Sequence, residues 1–195
     1  MDNKYKIMLF LAKKNESYTL LELSKQVKIP YTTLLRIVKE LNDVTSTEVK
    51  GKSNLIQIKW NEITTAMLTV ASFEEKKEFL KKHPLIKKIA EQTHETTLVF
   101  GSYAKGTQTK NSDIDLMIIN PKGDKNINFH NLELLYDIKI NPMFFTKKEF
   151  ELMLQDEEEN VAKQALKDHV LLYGFKEFWE DLKNAISKRN IWRKI

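Results

Sequence analysis

The sequence predicts an α+β protein in two parts, a helical amino-terminal segment closed by a β-hairpin and a carboxy-terminal domain of alternating strands and helices. Three observations carry this. Apolar residues recur at helical spacing through residues 4–41, an alternating run follows at 55–60, and residues 97–100 and 112–119 hold apolar runs too continuous for half-exposed strands. At 195 residues, with 42% hydrophobic and 30% charged residues, the chain is long enough for two small domains and can bury a core.

The first helix is expected over 4–13, with Ile7, Met8, Phe10 and Leu11 as its apolar stripe and Asn15, Glu16 and Ser17 ending it. A second follows from a capping box. Thr19 and Glu22 each satisfy a backbone N–H left free at a helix start, and Leu20, Leu23 and Val27 supply the buried stripe as far as Lys28. Ile29-Pro30 breaks the chain, and Thr32 or Thr33 is expected to cap a third helix whose apolar face is Leu34, Leu35, Ile37, Val38 and Leu41. Residues 47–50 and 55–60 then read as two strands joined by Gly51, Lys52, Ser53 and Asn54. Ile56, Ile58 and Trp60 share one face of the second strand, Gln57 and Lys59 the other.

A helix, a tight turn and a further helix make a helix-turn-helix, and the hairpin behind it is a candidate wing. Residues 3–60 resemble the winged helix-turn-helix family of DNA-binding domains, on the strength of Thr19-Leu20-Leu21-Glu22-Leu23-Ser24-Lys25 and Pro30-Tyr31-Thr32-Thr33-Leu34-Leu35-Arg36. The resemblance implies that the third helix enters the major groove of DNA. Tyr31, Thr32, Thr33, Arg36 and Lys39 would then lie near the duplex, and Lys50 and Lys52, on the wing, near phosphate. Charge points the same way: residues 1–60 hold eleven Lys/Arg against six Asp/Glu, whereas 61–195 hold twenty-one of each, so the net charge of +5 lies in the first third. A Lys-rich solvated surface gives the same count, and winged helices also serve as protein-docking modules.

Composition excludes several classes. No uncharged apolar run could span a bilayer, and the first residues lack the apolar run and cleavage site of a signal peptide, so a cytoplasmic protein without a membrane partner is expected. There is no cysteine, and His83, His94, His130 and His169 are spread without ligand spacing. Disulfides and thiolate metal sites are therefore excluded, and any metal is expected on oxygen.

Residues 61–92 read as a helical connector interrupted at Pro84, with Met67, Leu68, Val70, Phe73, Phe79 and Leu80 on its first helix. Its apolar faces can pack on either flanking domain or on a second copy of the chain, giving a homodimer. The expected plan is a DNA-binding domain over 1–60, the connector over 61–92 and a third, chemical part over 93–195.

In that last part a buried strand over 97–100 ends at Gly101-Ser102, a polar segment follows, and a second buried strand carries Asp113 and Asp115. Two apart on a strand, the carboxylates project from one face while Ile114 and Leu116 enter the core. Carboxylates so placed repel unless a cation lies between them, and hard oxygen ligands suit Mg2+ or Mn2+, which complete their shell with water and phosphate oxygens. Gly101 lets the backbone turn tightly and approach a phosphate, and Ser102 offers a hydroxyl and an amide at the next helix start. Each half alone is ordinary, a Gly-Ser turn and two acids at a solvated strand end.

Together, Gly101-Ser102, ten residues, and Asp113-x-Asp115 between apolar strands resemble the signature of the DNA polymerase beta-like nucleotidyltransferase superfamily in its minimal form. The resemblance implies a nucleotidyltransferase fold with a mixed sheet flanked by helices. It also implies transfer of a nucleoside monophosphate from a nucleoside triphosphate to an acceptor hydroxyl, with release of pyrophosphate. Carried over, Gly101 and Ser102 contact the triphosphate, and Asp113 and Asp115 hold the metal ions and take part in catalysis. Lys105 matches a basic position common in the family and would touch phosphate, unless it is simply solvated.

One departure is visible. The resemblance implies a third carboxylate on a later strand, where it binds a second metal and serves as base. The candidate strand is 137–145, whose Asp137, Lys139 and Asn141 share a face. The resemblance places the acid nearer Lys139 or Asn141 than Asp137, and at the beginning of the strand a turn carboxylate is the simpler explanation for Asp137. The rest of the chain completes a domain: a capping box at Thr146 and Glu149, an Asn160 cap, a strand at 170–174 and a terminal helix over 175–187 with Phe178, Trp179, Leu182 and Ile186 inward. His169 and Trp179 read as packing residues. Three functions remain open: a transferase acting on a protein or RNA acceptor, a DNA-binding regulator that senses nucleotide without turnover, and an antitoxin modifying or binding a HEPN-type toxin.

Overall fold

Helix caps and alternating apolar faces set the first elements of the computed structural model, which describes residues 1–51, 53–125 and 127–188. The chain divides between Ala71 and Ser72 into two units. In the first, α1 (Asn3–Lys14) starts where the Asp2 side chain accepts from the Lys4 amide and stops at Asn15 in left-handed backbone. β1 (Tyr18–Thr19) leads into α2 (Leu20–Val27), whose capping box is made by Thr19 and Glu22. The turn that follows is fixed at both ends. Lys28 takes left-handed backbone with its amide on Ser24, and the Ser24 hydroxyl donates to the Ile29 carbonyl at 2.7 Å.

α3 (Tyr31–Glu40) begins two or three residues earlier than a threonine cap requires. Pro30 stands at its N-cap with no side-chain cap bond, and a proline needs no amide partner at a helix start. Thr32 and Thr33 therefore sit in the first turn. β2 (Thr45–Lys50) and β3 (Ser53–Ile58) pair antiparallel from Thr45 opposite Ile58 to Lys50 opposite Ser53. β1 adds to the other edge of β3, giving the order β1-β3-β2. Ile7, Met8 and Leu11 of α1, Leu23 of α2, Leu34 of α3 and Ile56 of β3 are buried together as the core. Trp60 lies beyond the strand, its indole donating to Asn15 at 2.9 Å.

α4 (Glu62–Lys82) runs across the boundary, and α5 (Pro84–Gln92) follows with Pro84 in its first turn. β4 (Thr96–Phe100) is succeeded by α6 (Gly101–Lys105), β5 (Ile114–Ile119), α7 (His130–Tyr136) and β6 (Ile140–Phe145). α8 (Lys147–Gln155), α9 (Val161–Lys167), β7 (His169–Tyr173) and α10 (Phe175–Lys188) complete the described chain. The sheet has the order β6-β5-β4-β7, with β5 and β6 parallel and the other pairs antiparallel. It is thus a mixed sheet, and helices flank it. Ile86 and Ile89 of α5 and Leu132 of α7 pack on one face against Val99, Ile114 and Leu116. α8, α9 and α10 pack elsewhere on the sheet around Phe150, Phe178 and Trp179, all buried.

His169 and Trp179 are packing residues here. The imidazole lies 5.0 Å from the Phe178 ring, and the Trp179 indole donates to Ser72 at 2.8 Å. α7 has no counterpart in the apolar periodicity, because only Leu132 of its seven residues is buried. No helix among the described residues is long and apolar enough to cross a membrane.

Candidate active site

Chain direction reverses sharply where β4 meets α6. Phe100 is extended, and Gly101 takes φ +68°, a left-handed conformation that costs a residue with a Cβ about 1–2 kcal/mol. A Cβ on Gly101 would stand 2.5 Å from Asp115 Oδ2, so any other residue would strain the backbone and also displace the Asp115 carboxylate. Ser102, half-buried, follows in the first turn of α6, and no side chain caps that helix start. Lys105 closes the helix, exposed, with Gly106 behind it in left-handed backbone.

β5 brings the two aspartates beside this turn. Phe100 pairs with Asp115 across the antiparallel ladder, and Asp113 comes immediately before the strand. Both carboxylates are half-buried, while Ile114 and Leu116 between and beyond them are fully buried, as alternation requires.

The third corner is filled by β6, and by an amide. Parallel pairing sets Asn141 opposite Asp115, and the Asn141 Nδ2 donates to Asp113 Oδ2 at 3.0 Å and to Asp115 Oδ1 at 3.3 Å. Lys139, just before the strand, places its ammonium 3.3 Å from Asp113 Oδ2. Asp137 is not on the strand. It ends α7 in left-handed backbone (φ 48°), with its amide on the Glu133 carbonyl, so it does not share a face with Lys139 and Asn141. Among the described residues no third Asp, Glu or His joins Asp113 and Asp115 in a group that could hold a metal ion. A separate cavity of about 460 Å³ lies against Ile140, Pro142 and Phe144 of β6, the residues alternate to Asn141, and is lined by neither aspartate.

The residues expected at DNA lie in the other unit. Thr32, Arg36 and Lys39 are exposed and, at i, i+4 and i+7, fall on one face of α3, with half-buried Thr33 at its margin. Arg36 pairs with Glu40 at 2.9 Å. An exposed pair of this kind contributes only about 0.3–0.5 kcal/mol, little to give up for a phosphate. Lys50 is exposed at the end of β2, and Lys52 lies outside the described residues.

Of the residues around the aspartates, sequence spacing singled out Gly101, Ser102, Asp113 and Asp115 directly and left Lys139 and Asn141 as alternatives to Asp137. Glu133 was not singled out; its carboxylate accepts the Ile140 amide at 2.9 Å and so anchors the start of β6. Nothing in a seven-residue helix with one buried side chain signals that bond.

Two carboxylates thus stand at the head of a central strand, beside a left-handed glycine that opens a helix. The sequence model of the nucleotidyltransferase domain matches residues 85–192, more than half of the chain, and the chain belongs to that family. Among solved structures, a chain from a crystal structure of a toxin–antitoxin with AMP-PNP is similar over 53% of this chain and 83% of that one, at 20% identity and a TM-score of 0.34. No curated protein matches the chain in sequence.

Proposed function

We propose that the carboxy-terminal unit binds a nucleoside triphosphate with a divalent cation and moves its nucleoside monophosphate to a hydroxyl of a protein or RNA acceptor, and that residues 1–60 are a winged helix-turn-helix that binds DNA. The observation that carries the first part is the convergence of Asp113 and Asp115 on one amide, beside a left-handed glycine whose Cβ position lies against the Asp115 carboxylate. The donor set fits Mg2+ or Mn2+, since these ions take one or two protein carboxylates and fill the shell with water and phosphate oxygens. Asp113 and Asp115 would hold the cation, which when bound stabilises negative charge on the phosphoryl group and the leaving pyrophosphate.

The chain's own groups supply binding and orientation. The turn at Gly101 lets backbone approach the triphosphate, the Ser102 hydroxyl and amide donate to its oxygens, and Lys105 adds positive charge at the far end of α6. Asn141 has no basic oxygen with which to take the acceptor's proton, as a carboxylate would. Transfer is therefore slow, with water or the substrate itself receiving that proton. Calorimetry with Mg2+ tests the site: Asp113→Asn/Asp115→Asn removes the metal-dependent part of triphosphate binding. A folded double variant with unchanged metal-dependent affinity would sink it.

A second reading, a DNA-binding regulator that senses nucleotide without turnover, is favoured by the same amide. Labelled triphosphates offered with candidate acceptors separate the two, since a protein that binds triphosphate and transfers nothing is the regulator. The antitoxin role rests on family resemblance, and a HEPN-type toxin gene beside this one is the observation that selects it. For the amino-terminal part, support comes from the exposed face of Thr32, Arg36 and Lys39 and from the charge of +5 over residues 1–60.

A further inference from the structure

Asn141 and Lys139 reach the same oxygen. Asp113 Oδ2 accepts from the amide at 3.0 Å and lies 3.3 Å from the ammonium, while the amide also donates to Asp115 Oδ1. Neither an amide N–H nor an ammonium has a lone pair to offer a cation. Part of the aspartate pair thus already meets positive potential from the protein, and Asp115 Oδ2, the oxygen nearest Gly101, is not among the atoms they engage.

Charge arithmetic says what this arrangement replaces. A two-metal site with three carboxylates carries one net positive charge for the developing charge of the phosphoryl group. Two carboxylates with two dications would carry two, with Lys139 adding a third. Two carboxylates with one dication carry none, and the Lys139 ammonium restores one. The side chain of Lys139 is 67% exposed, so a second dication could enter only by driving that ammonium off Asp113 and into water.

We propose that this is a one-ion site, in which Asp113 and Asp115 take a single divalent cation and the Lys139 ammonium, seated on Asp113 beside Asn141, stands where a second ion would otherwise be needed. The inference rests on the reading of this site as one for a nucleoside triphosphate. Its consequence is that Lys139 and Asn141 act as a pair: removing the charge of the one without placing a carboxylate, and with it a second ion, at the other leaves the phosphates under-neutralised.

Equilibrium dialysis of the full chain against Mn2+ and each of the four non-hydrolysable nucleoside triphosphate analogues, with metal and nucleotide counted per chain, tests this. The unaltered protein binds one Mn2+ per nucleotide. Asn141→Asp/Lys139→Ala binds two, and Lys139→Ala alone binds one while losing about tenfold in triphosphate affinity, because one positive charge has left the site. Two Mn2+ per nucleotide on the unaltered chain would overturn the one-ion site and leave the triphosphate reading intact. Unchanged affinity in Lys139→Ala, whose exposed side chain leaves the fold alone, overturns the part given to Lys139. A chain that binds neither nucleotide nor Mn2+ overturns both the inference and the reading beneath it.

Discussion

Gly101 concentrates the local demands of the site. Its left-handed backbone and the 2.5 Å approach of Asp115 Oδ2 to a notional Cβ act on the same residue, so Gly101→Ala is strained in two ways. The backbone part costs about 1–2 kcal/mol, and the contact part pushes Asp115 aside. We expect Gly101→Ala to fold, melt a few degrees lower, and lose triphosphate binding by calorimetry; retained binding would show that the close approach serves packing alone. The two capping boxes give a residue-scale pH effect. The backbone amides of Thr19 and Thr146 hold the Glu22 and Glu149 carboxyls below the ordinary glutamate range, with a further contribution from the threonine hydroxyls. A carboxyl with a depressed folded pKa stabilises the fold above its unfolded pKa and loses that contribution as pH falls through the folded one. Stability therefore declines below the ordinary glutamate value, and Glu22→Gln/Glu149→Gln flattens that part of the decline in acid titrations followed by circular dichroism.

Elements are held by what they bury. α10 is fixed by Trp179 and Phe178, both buried, and by the indole bond to Ser72. Trp179→Ala should cost about 3–5 kcal/mol in urea unfolding, while Trp179→Phe, which keeps the ring and loses the donor, should cost less. A smaller loss for alanine than for phenylalanine would contradict this packing. β6 matters differently. Its parallel register with β5 decides which side chain meets Asp115, and Glu133 holds its first amide. α7 is the opposite case, with Leu134 and Leu135 some 70% and 73% exposed, and so leaves no apolar period to read.

At the scale of the whole molecule, charge is unevenly distributed along the chain. The net charge of +5 belongs to residues 1–60 and the remainder is balanced, so the proposed DNA binding should weaken with salt at about 0.9 in log–log slope for each phosphate contact. Lys50→Ala and Lys52→Ala should lower that slope alike on all duplexes, whereas Arg36→Ala should also change sequence preference; fluorescence anisotropy across a salt series reads both. Absence of binding at low salt would count against DNA binding and favour a protein-docking role for the exposed face of α3. Much of this was legible in local sequence. Capping boxes, the Gly101 turn and the same-face aspartates depend on residues one to four apart, and such spacings carry their geometry with them. The pairing of β1 with β3 and the start of α3 at Pro30 were not legible, because a two-residue strand has no period and a proline N-cap leaves no hydrogen-bonding signal. The sequence by itself determined that two carboxylates would share a face beside a glycine turn. Only the tertiary structure decided that Asn141, and not Asp137, completes the cluster, because strand register is set by hydrogen bonds between residues far apart in the chain, and a slip of one residue would turn every side chain of β6 to the other face.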